Sequence, residues 1–240
     1  MTESSSNGDA GKPFVKNVVL VHGAWMNGSC WEGVYKILTA AGHNVSVVAN
    51  PETSLADDVA ALHRVLDRQD GPAVLVAHSY GGAVITQGGN HPKVAALVYI
   101  AAFAPDEGES VMNLLPGSGG SLPVEMTPDG FAFLKRAVVL AGFVPDFSEE
   151  QAKFLADAQV PISIPKAGGV PIREPAWKVK PSWYLVSSQD RIISPGTERM
   201  MGKRAGATVS EIDGGHLAFV SQPEVAARLI TTAAEAVAGR

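Results

Sequence analysis

The sequence predicts an α/β protein, with a mostly parallel sheet of about six strands, helices on both of its faces and a small helical cap insertion. Three observations predict it. Short runs rich in β-branched residues alternate with segments of helical period, which is the pattern of a parallel sheet covered on both sides. The run Val18 to Val21 is continuously apolar, as a strand buried on both faces is. From about Pro105 to Lys180 the rhythm stops and Pro, Gly, Phe and Met take over, so this segment reads as an insertion between two sheet strands.

Met1 to Lys12 is small, polar and rich in Ser and Gly, and reads as a flexible tail. It does not read as a secretory signal, because no apolar stretch follows a basic start. Val18 to Val21 is the first strand, ending at His22-Gly23. Trp31 to Ala41 is the first helix, with Trp31, Val34, Tyr35 and Leu38 on one face and Gly42 placed to end it. Asn44 to Ala49 is a strand. Asp57 to Arg68 is a helix carrying Val59, Leu62, Val65 and Leu66 at helical spacing. Ala73 to Ala77 and Val94 to Ala101 are the third and fourth strands.

Two helices are expected in the insertion. One opens at Thr127-Pro128, carries Phe131, Leu134 and Val138, and stops near Gly142; the other opens at Ser148, where Gln151 completes a capping box. The α/β rhythm resumes with a strand at Trp183 to Ser187, a helix at Pro195 to Arg204 and a strand at Thr208 to Ile212. A terminal helix closes the chain, its capping box running from Ser221 to Glu224 with Pro223 in the first turn. The core is thus assigned to residues 13–104 and 181–240 and the cap to 105–180.

Composition narrows the function. A chain of 240 residues, 46% apolar and 18% charged, supports one large core. A net charge of −5 with no Lys/Arg run argues against nucleic acid as a partner. No run reaches the roughly 18 apolar residues of a membrane span, so the protein reads as soluble and cytoplasmic. Cys30 is the single cysteine, which excludes an internal disulfide, a thiolate metal cluster and a CxxC redox pair. No histidine pair has metal-ligand spacing and no Gly-rich phosphate loop appears, so neither metal nor nucleotide cofactor is expected.

Open parallel sheets bind ligands at the carboxyl ends of their strands, and four such places carry chemistry. Ala77-His78-Ser79-Tyr80-Gly81-Gly82 sits between the third strand and a small-residue helix, where a sharp turn would lift the Ser79 hydroxyl above the sheet. The first small residue of that motif is Ala77 instead of glycine. His22-Gly23-Ala24-Trp25 follows the first strand; its loop and the residue after the serine would supply two backbone N–H groups, from Ala24 and Tyr80, to an oxyanion. His22 itself reads as a structural, hydrogen-bonded residue.

Ser187-Ser188-Gln189-Asp190 follows the first strand after the insertion, and Asp190 can fix a histidine tautomer. Asp213-Gly214-Gly215-His216-Leu217 follows the last strand, and two glycines let the loop carry His216 back as a general base. Asp213 is the rival third member, disfavoured because it would have to fold back on its own loop. The order Ser79, Asp190, His216, each just past a strand, is the order this chemistry takes in such a sheet.

At these residues the chain resembles the α/β-hydrolase fold superfamily, and within it the small esterases related to plant methylesterases and hydroxynitrile lyases. Val21-His22-Gly23-Ala24-Trp25, Trp31, Ala41-Gly42-His43, His78-Ser79-Tyr80-Gly81-Gly82, Asp190 and Gly215-His216 carry the likeness. It implies a cofactor-free hydrolase of a small-molecule carboxylic ester or lactone. The alternatives are a hydroxynitrile-lyase-like or C–C bond-cleaving enzyme, or a non-catalytic ligand-binding member. In the plant lyases a threonine stands where this chain has Ala24, and a lysine where it has Leu217. The cap would supply an apolar pocket, with Trp25, Met112, Phe131, Phe143, Phe147, Trp177 and Leu217 as candidate substrate contacts.

Overall fold

Four consecutive aliphatic residues, Val18 to Val21, need cover on both sides of the sheet they enter. In the computed structural model, which describes residues 13–115, 122–143 and 147–239, they have it. Strands β1 (Asn17–Val21) and β3 (Ala73–Ser79) are buried throughout. With β2 (Asn44–Val48), β4 (Val94–Ala102), β8 (Ser182–Ser187) and β9 (Thr208–Ile212) they form one parallel sheet of six strands, in the order β2-β1-β3-β4-β8-β9. The expected tail, residues 1–12, lies outside the described residues.

Helices flank the sheet, α1 (Glu32–Ala40) packing with α9 (Pro223–Ala236) and α2 (Leu55–Asp67) with α3 (Gly81–Gly88). Their ends follow local chemistry. A 3-10 turn at Gly28–Trp31, capped by Asn27, precedes α1, so the α-helix starts at Glu32 and not at Trp31. Gly42 ends it at φ +89°, and the His43 N–H reaches the Leu38 carbonyl at 3.0 Å, closing the last turn. Helix α2 opens earlier than expected because Ser54 caps it, its Oγ accepting the Asp57 N–H at 3.0 Å. Helix α7 (Pro195–Arg204) matches expectation.

The terminal capping box does not form. Ser221 closes a short helix, α8 (Ala218–Ser221), its hydroxyl donating back to the Ala218 carbonyl at 3.1 Å, and α9 starts at Pro223 without a side-chain cap.

The insertion differs more. Strands β5 (Val124–Met126), β6 (Phe131–Leu134) and β7 (Ile162–Ser163) form a separate antiparallel sheet in the order β5-β6-β7. Phe131 and Leu134 therefore belong to a strand and not to the helix expected there; helical structure begins only at α5 (Arg136–Val138). Thr127-Pro128-Asp129-Gly130 makes a turn instead, closed by the Gly130 N–H on the Thr127 carbonyl at 3.0 Å, with Gly130 at φ +88°. Its described residues also include the helices α4 (Val111–Leu114) and α6 (Glu149–Asp157); α6 carries the expected Ser148–Gln151 capping box. No helix among the described residues is long and apolar enough to cross a membrane.

Candidate active site

From β1 the sheet grows in one direction through β2 and in the other through β3, so the chain reverses its strand order between them. A crevice opens at such a point, past the carboxyl ends of the two strands. The loop at His22 to Trp25 forms one wall and Ser79 the other.

Ser79 is the last residue of β3, at φ +52°, a left-handed conformation that costs a serine about 1–3 kcal/mol and turns the chain sharply into α3. The turn needs the bare glycines that follow. A Cβ on Gly81 would lie 2.6 Å from the His22 carbonyl oxygen, and one on Gly82 2.1 Å from that of Phe103. Ala77, which stands where the motif has a glycine, is fully buried inside β3.

His216 Nε2 lies 2.9 Å from the Ser79 hydroxyl, and His216 Nδ1 lies 2.6 Å from Asp190 Oδ2. All three residues are buried. The other Asp190 oxygen accepts the N–H groups of Ile192 and Ile193 at 2.6 and 2.9 Å, which fixes the carboxylate. Three loops from β3, β8 and β9 thus meet in one hydrogen-bonded line. Asp213 is engaged elsewhere, at the surface, where it accepts from the Ser188 hydroxyl and the Gln189 amide at 2.9 and 2.8 Å.

Ala24 and Tyr80 line the same cavity as Ser79. Among the described residues neither backbone N–H has a protein acceptor. His22 is spent on structure: its Nε2 accepts the Asn50 N–H and its Nδ1 donates to the Gly23 carbonyl, both at 3.0 Å, and burial lowers its pKa. His78 was read only as part of the elbow motif. Its Nε2 donates to the His216 carbonyl at 3.0 Å, and burial, reinforced by the nearby His216 ring, holds it well below the ordinary histidine range.

The alpha/beta hydrolase family model matches residues 18–229. The chain belongs to that family. It is 34% identical over 125 residues to a carbendazim hydrolyzing esterase of Nocardioides sp. (strain SG-4G), a match covering 46% of this chain and only 50% of that relative. It is 24% identical over 238 residues to Methylesterase 8 of Arabidopsis thaliana, covering 88% of this chain and 86% of the relative. The crystal structure of a pyrethroid hydrolase superposes with a TM-score of 0.77 at 21% identity, over 94% of this chain and 100% of that one.

In this alpha/beta hydrolase the cavity over Ser79 measures about 590 Å³, within the range of small-molecule sites. Of the candidate substrate contacts, Trp25 and Met112 line it. Phe131, Phe143, Phe147, Trp177 and Leu217 do not. Leu217 is buried against the core, and Trp177 turns its indole N–H to the Pro105 carbonyl at 2.9 Å. Phe143 stands beside the site: its ring is edge-on to His216 with centroids 5.1 Å apart. Phe103 lines the cavity in addition, and much of the remaining wall is aliphatic, with Val111 from α4, Val124 from β5, Ile162 from β7, and Ile164. Among the described lining residues no side chain carries a charge.

A buried acid that the sequence reading passed over backs the Asp190 loop. Glu198, at the start of α7, accepts the Ser187 N–H at 3.1 Å. Burial first, and then the Asp190 carboxylate, push its carboxyl well above the usual range. A carboxyl raised in the folded state costs nothing below a glutamate's ordinary value of 4.5 and costs stability as pH rises above it, because unfolding then releases a proton. Glu198→Gln keeps the acceptor for Ser187 and has no proton to lose. Its melting temperature relative to the native protein is therefore expected to climb as pH rises above about 4.5. A difference that stays flat over that range would mean that Glu198 is ionised in the fold.

Proposed function

We propose that this alpha/beta hydrolase is a serine carboxylic-ester hydrolase acting on a neutral, apolar ester or lactone through an acyl-enzyme. The observation that carries the reading is the line from Asp190 through His216 to Ser79, ending in an uncharged cavity. Ser79 Oγ attacks the carbonyl carbon while His216 Nε2 takes its proton, and Asp190 stabilises the imidazolium. The Ala24 and Tyr80 N–H groups receive the oxyanion. His216 then protonates the departing alcohol, and the same histidine activates the water that releases the acid. Residues 105–180 serve as the cap that shapes the substrate pocket.

The scheme asks for neither a side-chain hydroxyl at position 24 nor an ammonium at position 217. Ala24 offers no hydroxyl to a cyanohydrin, and Leu217 lies off the cavity, so a departing cyanide would have no cationic partner in a partly desolvated site. A panel of p-nitrophenyl esters, a lactone and mandelonitrile tests this. Neutral alkyl and aryl esters should be cleaved, with kcat/KM about 100-fold or more above that of a hemisuccinate of equal length, whose carboxylate would enter an apolar pocket unpaired. Failure to cleave any ester, or mandelonitrile turnover matching the best ester, would sink the reading.

A further inference from the structure

Glu52 lies four residues past the end of β2, beyond a strand end to which the sequence assigns no chemistry. It is fully buried and sits at φ +57°, a conformation costly for a glutamate. Three parts of the site converge on it. Its Oε2 accepts the Trp25 N–H at 3.1 Å, one residue beyond Ala24. Its own N–H donates to Asp58 Oδ1 at 2.8 Å, and Asp58 Oδ2 accepts the Tyr80 hydroxyl at 2.5 Å. Its carbonyl accepts the Ser163 N–H at 2.9 Å, between Ile162 and Ile164 of the cavity wall.

We propose that Glu52 is a positioning residue for the oxyanion hole, fixing the Ala24 loop through the Trp25 N–H and the Tyr80 elbow through Asp58. The proposal rests on the ester-hydrolase reading given above. Trp25 is itself left-handed, at φ +62°, so its loop needs an external hold to keep that turn, and its indole N–H takes a second one on the Ala132 carbonyl at 2.9 Å. Tyr80 is likewise tied at its hydroxyl, at the far end of the side chain from the N–H that would meet the substrate.

A plain packing role fits Glu52 poorly. Its Oε1 has no hydrogen-bond partner and lies 3.6 Å from His22 Nδ1, whose proton goes to Gly23. An apolar side chain would fill the space at lower desolvation cost, but only an acceptor holds the Trp25 N–H. Burial, with a smaller push from Asp58, raises the Glu52 carboxyl well above the usual range. A neutral acid there adds no negative charge beside a developing oxyanion.

The test uses Glu52→Ala, Glu52→Gln and Tyr80→Phe, with kcat and KM for a neutral ester and the inhibition constant of an alkyl trifluoromethyl ketone, whose hemiketal oxyanion mimics the tetrahedral intermediate. Removing one oxyanion donor outright costs about 100- to 1,000-fold in kcat, so misaligning one should cost less. Glu52→Ala is expected to lower kcat about 10- to 100-fold at nearly native KM, and to weaken the ketone by the same factor as kcat/KM. Glu52→Gln, which keeps the acceptor oxygen and the neutral charge, should recover most of that loss, and Tyr80→Phe should lower kcat about 3- to 10-fold.

A folded Glu52→Ala with native kcat and native ketone affinity would overturn the proposal, as would a glutamine variant as impaired as the alanine one. Should Glu52→Ala not fold, a Tyr80→Phe variant with native kcat overturns it. An unmodified protein that cleaves no ester would overturn the ester-hydrolase reading and this proposal together, whereas an active native protein with indifferent variants overturns this proposal alone.

Discussion

Ser79→Ala is expected to lower turnover of a good neutral ester by on the order of 10⁴-fold or more while leaving the circular dichroism spectrum and melting behaviour close to native. The hydroxyl removed has a histidine base in reach, His216 Nε2 at 2.9 Å. The variant keeps the small side chain that the left-handed turn already tolerates. His216→Ala should fall to a similar rate, and the double variant should be no worse than either single one, because a nucleophile without its base and a base without its nucleophile are equally idle. A Ser79→Ala protein retaining more than about 1% of native turnover would move the chemistry to another residue.

Much of this site was legible because its parts are anchored to strand ends, and strand ends are written in the sequence. Val76-Ala77 running into His78-Ser79-Tyr80-Gly81-Gly82 fixes where a buried strand becomes a close-packed helix. The Gly81 and Gly82 contacts on β1 and β4 show why those two positions carry no side chain. Asp190 and His216 were found the same way, each just past its strand, and they lie within 2.6 Å of one another. The likeness to small esterases, read from the same residues, agrees with the family match and with Methylesterase 8 of Arabidopsis thaliana.

The insertion was not legible in the same way. Phe131, Leu134 and Val138 recur at helical spacing, but Thr127-Pro128-Asp129-Gly130 has the composition of a hairpin turn. The Thr127 hydroxyl, which donates to the Phe131 carbonyl at 3.1 Å and accepts the Phe131 N–H at 3.0 Å, helps hold the strands that flank it. Once β5, β6 and β7 pair, their register decides which side chains look into the cavity, and aliphatic residues take that place while Phe131 and Phe147 do not. Periodicity along one strand cannot reveal a register between three. Glu52 and Glu198 were missed for a different reason. Each is a charged residue type that reads as surface, and only the contacts made in the fold explain its burial.

Gly82→Ala is expected to destabilise the protein by about 3 kcal/mol or more, lowering the melting temperature by about 10 °C, and to cost esterase activity beyond what the lost fold explains. The added methyl would meet the Phe103 carbonyl oxygen at 2.1 Å and the Ala102 Cβ at 3.0 Å. The first of these is backbone, which no rotamer change can move aside. Relief requires α3 to back away from the end of β4, where the Phe103 N–H holds the Ser79 carbonyl at 3.1 Å. Ser79 would move with it, and about 1 Å of misplacement at a nucleophile can cost about 100-fold. Gly71→Ala serves as the control, since its nearest contact would be an ordinary 3.8 Å to the Asn17 amide and its φ is not positive; its melting temperature and kcat should stay near native. Thermal unfolding followed in parallel with ester turnover at low temperature separates the two effects. A Gly82→Ala protein with native melting and native kcat would mean that α3 and β4 do not meet as closely as the elbow requires.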